Sequence, residues 1–307
     1  MKFIKVLLIT LAIVLIIKVF AFTSCTIPFS GMENSLYQGE RVIVNKWSYG
    51  FRTPLMWLFS YHRILEKPVS KNDIVVFNNP FPEKRNKSIS SQEVYISRCI
   101  GLPGDTIMLD KNLTLTHQTI FSPDYKSLYS YPKNKEDLLL KAMKVFNIDN
   151  NELISYYEDQ FIRSFSHYEI YLLKQKIGKL IPFKSLQIGN DDTIHPFVIP
   201  AKDTPLQIYP WNAELIANTI LLHEGKEVAI ENDTLIIDNR KVTSYTFTKD
   251  YYWMVSNNSV NFNDSRLFGL VPKDHVIGKA SFIWFSKDRN AGLFEGFRWN
   301  RFFTSVQ

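Results

Sequence analysis

The chain has 307 residues, of which 45% are hydrophobic and 21% charged, a composition that argues against disorder and allows a core with a large insertion. Its net charge is +6, but the lysines and arginines are scattered and form no stripe with aromatic residues, so we predict no nucleic-acid partner. Two cysteines without CxxC spacing predict no disulfide framework, no metal site and no cofactor.

The first predicted element is an apolar helix over residues 3–22. At 1.5 Å per residue, about 20 apolar residues span the roughly 30 Å hydrocarbon core of a bilayer. Lys5 and Lys18 stand near its two ends, where their long side chains can reach the headgroups. A cleaved secretory signal is the alternative, but it needs small residues before the cut, and the sequence after Lys18 is the bulky VFAF. We therefore predict a transmembrane anchor.

The charges that flank this helix predict its orientation. Lys2 and Lys5 lie at its start, whereas residues 23–37 carry one charge, Glu33. By the positive-inside rule the N-terminus lies in the cytoplasm and the globular part outside it. The net positive charge then suits a body beside anionic lipid headgroups, although an ordinary solvated surface explains it equally well. Membrane lipid is the first expected partner.

Beyond the anchor, runs of β-branched residues between turn formers predict strands up to residue 110. These strands cover residues 40–46, 73–77 and 95–100. Apolar residues then take helical spacing in two segments. These helices cover residues 136–146 and 165–180. Strand patterns return toward the C-terminus, at residues 227–237, 240–247, 252–255 and 277–285.

These elements predict a mainly β fold with an N-terminal transmembrane helix and a mixed α/β insertion. The predicted parts are a cytoplasmic tip and anchor (1–22), a β core (23–111 and 245–296), an inserted domain (112–244) and an aromatic, basic tail (297–307). The tail mixes aromatics with arginines as membrane-interfacial segments do, and packing onto the body is an equal alternative.

Four short blocks follow the anchor in order. They are IPFSGMENSL at 27–36, KNDIVVF at 71–77, YISRCIGLPGD at 95–105, and DSRLFGLVP at 264–272 with GKA at 278–280. Together they resemble the blocks of bacterial type I signal peptidases: I-P-x-x-S-M-x-x-[ST]-L, R-G-D-I-V-V-F, Y-I-K-R-x-x-G-L-P-G-D, and D-S-R-x-x-G-x-V-P with G-[RK]-A. The resemblance covers residues 18–112 and 244–303.

The resemblance implies a signal-peptidase-like β core on the outer side of the bacterial inner membrane, held by a single pass. Members of that family are serine endopeptidases that cleave signal peptides. A lysine that burial keeps neutral takes the proton of the nucleophilic serine, and a second serine helps to hold the lysine amine.

Each position that carries this chemistry differs here. The nucleophile position is Gly31, the lysine position is Ser97, and the position of the supporting serine is Phe262. Glycine has no side chain that could attack a carbonyl, and serine is not a base at neutral pH. We therefore predict an inactive member with no catalytic residue, which binds or scaffolds in protein export.

Two other functions stay open. One is a working peptidase with a rearranged nucleophile such as Ser30, although a shift of one residue in an extended segment turns the side chain to the opposite face. No histidine lies in the third block to serve as base, and we expect His275 in a surface loop. The other is a structural membrane protein that acts through its insertion.

The family binds the extended end of a signal peptide by strand addition. By resemblance, the groove here would be lined by Phe29, Ser30, Met32, Leu36, Val94, Tyr95 and Ile96. The expected partners are signal peptides or preproteins, an active signal peptidase, or the export machinery.

A last expectation concerns the space that the missing lysine leaves. An empty space would cost about 24 cal/mol per Å³ of cavity, so a neighbour should fill it. The ring of Phe262 replaces a small serine and is the natural filler. We expect Phe262 to be buried near Gly31 and Ser97, with no ionisable amine between them.

Overall fold

In the computed structural model the described residues are 2–54, 56, 58–82, 88–110, 113, 124–148, 151–186, 193–232, 234–258, 260, 263–289 and 291–306. Across these residues the α-helices are α1 (Lys2–Phe20), α2 (Glu136–Val145), α3 (His167–Ile177), α4 (Ala213–His223) and α5 (Ser265–Phe268). Short 3-10 helices lie at Ser30–Met32, Ile89–Ser91, Lys133–Lys135, Lys273–His275 and Trp299–Arg301.

The strands alternate with these helices along the chain. In the first half they are β1 (Phe22–Thr26), β2 (Arg41–Asn45), β3 (Phe51–Arg52), β4 (Arg63–Ile64), β5 (Ile74–Asn78), β6 (Val94–Gly101), β7 (Thr106–Leu109), β8 (Lys126–Pro132) and β9 (Leu153–Tyr157). The next are β10 (Gln160–Ser166), β11 (Lys184–Leu186), β12 (His195–Val198), β13 (Pro205–Gln207), β14 (Val228–Glu231) and β15 (Thr234–Ile237). The last are β16 (Arg240–Val242), β17 (Ser244–Thr246), β18 (Tyr251–Val255), β19 (Val271–Pro272), β20 (Val276–Phe285) and β21 (Thr304–Ser305).

An antiparallel sheet forms the core, in the order β1-β2-β20-β5-β6-β18-β19, with β21 on β20. The predicted strands at 40–46, 73–77 and 95–100 are β2, β5 and β6. All five residues of β5 and of β18 are buried, as their unbroken apolar runs indicate. The mainly β fold that we predicted is confirmed.

The two neighbours of strand β6 in this sheet pair with different parts of it. On its first side β6 pairs with β5 over residues 94–98. On its second side β18 pairs with residues 98, 99 and 101. Within the described chain, the pairing with β18 therefore does not extend to Val94.

The first half of the insertion has its own apolar core. Its sheet has the order β11-β8-β10-β9, and α2 and α3 pack together. Tyr131, Leu139, Phe165 and Leu173 are fully buried in this cluster. Helix α3 begins two residues later than predicted because Ser166 caps it, accepting from the Glu169 backbone N–H at 3.1 Å.

The second half of the insertion shares the core of the main sheet. Ile216 of α4 and Phe197 of β12 are buried in one cluster with Ile100, Trp253 and Leu270. Helix α4 was not predicted from the sequence. The expectation that His275 lies in a surface loop was wrong. His275 is 4% exposed, and its ring centre lies 5.2 Å from that of His223 at the end of α4.

Helix α1 is long and apolar enough to cross a membrane, and no residue of the window Phe3–Phe20 is buried in the protein. Its C-terminal carbonyls are capped by the β core. Lys46 Nζ donates to the Lys18 and Val19 carbonyls at 2.8 and 3.0 Å, and Trp47 Nε1 donates to the Phe20 carbonyl at 2.7 Å. The body therefore adjoins the C-terminal end of the helix.

The C-terminal tail packs on the body through an arginine and leaves aromatic rings exposed. Arg301 contacts the buried Glu40 carboxylate at 2.5 Å and stacks over the Tyr37 ring at 4.6 Å. In contrast, Trp299 and Phe303 are 71% and 74% exposed. The arginines hold the tail on the body, while aromatic rings face outward.

Candidate functional site

The first block forms a tight turn at Gly31, the position that the resemblance assigns to the nucleophile. Phe29 is extended, with φ −135° and ψ 165°, and the 3-10 helix Ser30–Met32 follows it. Met32 and Leu36 are buried in the apolar cluster beneath the turn and anchor it. Gly31 is also buried, and its carbonyl accepts a hydrogen bond from the Asn258 backbone N–H at 2.9 Å. The position offers backbone groups only.

Ser97, at the lysine position, is fully buried in β6. Its hydroxyl lies 2.8 Å from the Ile96 carbonyl and 3.2 Å from the Asn263 carbonyl, to both of which it can donate. The turn Ser30–Met32 and strand β6 have Cα atoms within 8 Å of each other. The two altered positions are therefore on neighbouring elements, and Ser97 connects the third block to the fourth.

Arg98, the next residue of β6, links the blocks. Its guanidinium donates to Ser35 Oγ at 2.8 Å and to the Asn72 carbonyl at 3.0 Å. Asn257 donates from Nδ2 to the same Ser35 hydroxyl at 2.9 Å and to the Glu33 carbonyl at 3.0 Å. Burial lowers the pKa of Arg98, and the nearby Asp124 carboxylate partly offsets this effect.

Asp264 and Arg266 shape the fourth block. Asp264 is fully buried, accepts from the Ser256 backbone N–H at 2.7 Å, and contacts Arg266 Nη2 at 2.5 Å. Arg266 also donates to the Asn258 carbonyl at 3.2 Å. These contacts hold the loop between β18 and α5 and present no free group for catalysis.

A buried ion pair, which sequence reasoning missed, lies beside the first block. Lys126 Nζ is 2.7 Å from Glu33 Oε2, and the residues are 1% and 7% exposed. Burial raises the pKa of Glu33, and the Lys126 ammonium partly offsets this effect. The backbone N–H of Lys126 donates to the Asn257 carbonyl at 2.6 Å. The one available signal was the single charge, Glu33, in an otherwise uncharged stretch.

This ion pair lines a cleft of about 430 Å³ between the first block and the insertion. Phe29 and Ser30 form one wall, and Leu153 and Ile154 of the edge strand β9 form another. The cleft therefore contains the buried amine of Lys126. Its nearest partner is the Glu33 carboxylate. Phe262 lies outside the described residues, and its burial stays a prediction.

The predicted peptide-binding residues separate into two groups. Met32 and Leu36 lie in the core, and Ile96 packs against the same cluster. Phe29 and Val94 are 56% and 43% exposed. Ser30 and Tyr95 are partly exposed, and the Tyr95 ring packs on Phe77 and Phe268. Among the described residues no cluster of histidine, cysteine, aspartate and glutamate is arranged to hold a metal ion.

Comparison with known proteins gives consistent matches. The family model described as "Signal peptidase, peptidase S26" matches residues 1–158 and 241–285, more than half of the chain. Signal peptidase I of Buchnera aphidicola subsp. Baizongia pistaciae (strain Bp) is 28% identical over 281 residues, covering 89% of this chain and 73% of that protein. Signal peptidase I of Haemophilus influenzae is 23% identical over 307 residues, covering 100% and 76%. Signal peptidase I of Helicobacter pylori (strain J99) is 23% identical over 321 residues, covering 97% and 90%.

Proposed function

The chain belongs to the signal peptidase family, peptidase S26, and from that premise we propose that it binds exported polypeptides without cleaving them. The observation that carries this proposal is that Gly31 and Ser97 stand at the positions that the resemblance assigns to the nucleophile and the base. Members of a hydrolytic unit act together, and their loss costs on the order of 10⁶ in turnover.

Peptide binding is supported by the open side of β6. On that side β18 pairs with residues 98, 99 and 101 and, among the described residues, its pairing does not extend to Val94. An extended peptide could add there through backbone hydrogen bonds, with exposed Val94 contacting its side chains. The partners that fit are a signal peptide or preprotein, an active signal peptidase, or another export component.

Membrane attachment is part of the proposal. Helix α1 would span the bilayer, and the lysines at its start favour an N-terminus in the cytoplasm and a body outside. The body would lie on the outer surface of the inner membrane. Protease added to intact spheroplasts should degrade the body. Full protection would contradict this topology.

A second candidate is a peptidase that uses Ser30. The observation in its favour is that Ser30 and the buried Lys126 line the same cleft. Against it, a general base must be uncharged to take the serine proton, whereas the Lys126 amine already contacts a carboxylate at 2.7 Å.

Complementation distinguishes the two. The full chain, expressed in a strain depleted of its own signal peptidase, should rescue neither growth nor precursor processing. Rescue would overturn the proposal, and loss of that rescue in Ser30→Ala and Lys126→Met variants would assign the activity to the cleft.

A matched pair of variants tests peptide binding itself. Val94 and Ile230 are 43% and 42% exposed, but Ile230 lies in the hairpin of β14 and β15. Val94→Glu should weaken binding of a signal peptide by roughly tenfold or more, because the carboxylate would be covered by an apolar peptide. Ile230→Glu should leave binding unchanged. Equal effects would exclude the β6 edge as the binding site.

The third candidate is a structural protein that acts through its insertion. A partial deletion of the insertion tests it. We propose that the insertion has two parts, because Phe197 and Ile216 share a core with Trp253. Deleting all of residues 112–244 would strip the β core. Replacing residues 127–183 by a short linker removes only the half with its own core, and loss of a bound partner in this variant would support the third candidate.

A further inference from the structure

Two histidines meet where the end of helix α4 touches the β core. His223 is the last residue of α4, and His275 closes the 3-10 helix Lys273–His275. Their rings are 5.2 Å apart between centres and nearly perpendicular, at 76°. His275 is 4% exposed and His223 is half-buried. We call His223, His275 and Asp274 the histidine joint.

Charged side chains of both signs lie around the joint. Asp274 faces His275, with Oδ1 at 2.8 Å from Nδ1, but Lys249 Nζ contacts its other oxygen at 2.7 Å. Arg52 donates to the His275 carbonyl at 3.4 Å. The remaining carboxylate, Glu224, accepts from the hydroxyls of Tyr251 and Thr248, both at 2.7 Å. The one carboxylate that faces the rings is therefore shared with a lysine.

From this geometry we propose that the histidine joint is an acid-sensitive contact, in which protonation of the paired imidazoles releases helix α4 from the β core. Two imidazolium ions at this distance would repel each other and would add to the charges of Lys249 and Arg52. An undocked helix would place His223 in water, where its proton is bound at no such cost. Under the proposed topology, the joint would respond to the pH outside the cytoplasm.

The direction of the pH effect follows from burial. Burial is the main cause that lowers the pKa of His223 to about 3, and His275 adds to it. Burial also lowers the pKa of His275, and Asp274 opposes this effect. Both folded values lie below the ordinary value of about 6.5, so the released state binds protons more strongly. Docking is strongest above pH 6.5 and weakens as the pH falls, for His223 down to about pH 3.

Hydrogen exchange of the full chain in detergent tests this proposal. The opening constant of α4, corrected for the intrinsic pH dependence of exchange, should rise by up to about tenfold per pH unit below 6.5 for each buried histidine. Amides of β5, in the centre of the main sheet, should show no such rise. A pH-independent opening of α4, or an equal rise in β5, would overturn the proposal.

Variants assign the effect to the joint. His223→Gln should reduce the slope by about one decade per pH unit, and His223→Gln with His275→Gln should abolish it. His167→Gln is the control, because His167 is exposed at the start of α3. An unchanged slope in the double variant would refute the joint. Should a variant fail to fold, histidine NMR titration of the unmodified chain decides the matter, since signals assigned to His223 and His275 that titrate near 6.5 in the folded protein would contradict the proposal.

Discussion

The insertion meets the β core at two buried contacts whose electrostatics are opposite. Beside the first block, Lys126 and Glu33 form an ion pair of opposite charges. At the histidine joint, two bases face each other and are favoured in their neutral forms. The ion pair loses stability when one of its partners is removed. The histidine joint loses stability when its imidazoles bind protons. One chain thus attaches an insertion to a β core in two ways that fail under different conditions.

The comparison also bears on the positions that the resemblance assigns to catalysis. In an active member of the family, the resemblance places a serine and a lysine at the positions of Gly31 and Ser97. Here the only described amine beside the first block comes from the insertion and is paired with a carboxylate. The contact ties elements 93 residues apart in the chain. A site that resemblance assigns to chemistry therefore contributes to holding the insertion in place.

The largest expected effect comes from breaking the ion pair on one side. Lys126→Ala removes the cation that pairs with the buried Glu33 carboxylate, and such a change lowers the free energy of unfolding by about 3–5 kcal/mol. The control is Lys226→Ala, because Lys226 and Asp238 are similarly close, at 2.8 Å, but their side chains are 47% and 50% exposed. Solvent screens this exposed pair, so its loss should change the free energy of unfolding little. Urea unfolding in detergent measures both, and equal effects would contradict the structural role of Lys126.

Replacing both partners sharpens the same comparison. Glu33→Gln with Lys126→Met removes both charges and should recover most of the stability lost in Lys126→Ala, because no uncompensated charge remains. A double variant as unstable as the single one would show that the space requires the ion pair itself.

A smaller effect concerns pH, where the two contacts should have opposite signs. Each histidine of the joint should cost up to about 1.4 kcal/mol of unfolding free energy per pH unit below 6.5. Burial raises the pKa of Glu33, so its contribution is complete below its unfolded value of about 4.3 and is lost as the pH rises through the folded value. Unfolding from pH 4 to 8, with His275→Gln and Glu33→Gln variants, should show changes of opposite slope. The same sign for both would show that one assignment is wrong.

Much of the secondary structure was predictable because local sequence patterns determine it. Strand β5 is an unbroken apolar run, and α2 has apolar residues at helical spacing, so both were predicted within one residue at each end. The resemblance predicted that Gly31 and Ser97 lie on neighbouring elements. Resemblance to a family thus supplied the long-range arrangement that local patterns lack.

The missed features are those that depend on distant partners. Lys126 is an ordinary lysine in the sequence, and only the fold brings it to Glu33. His275 follows VPKD, a typical surface pattern, but the end of α4 covers it. Helix α4 itself is apolar over much of its surface because it is buried among the strands. In each case the deciding contact joins elements that are far apart in sequence.

The smallest expected effect tests whether the first contact still contains latent chemistry. Gly31→Ser restores a hydroxyl to the turn Ser30–Met32, but the new group would have no neutral amine to take its proton. Ser97 is fully buried and is not a base, and the Lys126 amine contacts Glu33 at 2.7 Å. We therefore expect no cleavage of a preprotein by purified Gly31→Ser protein in detergent micelles. The combined change Gly31→Ser, Ser97→Lys and Phe262→Ser should give at most a trace, with Ser30→Ala as the control that removes the neighbouring hydroxyl. Efficient cleavage by the single variant would identify a base at this site, and Lys126→Met in that background would then show whether the insertion supplies it.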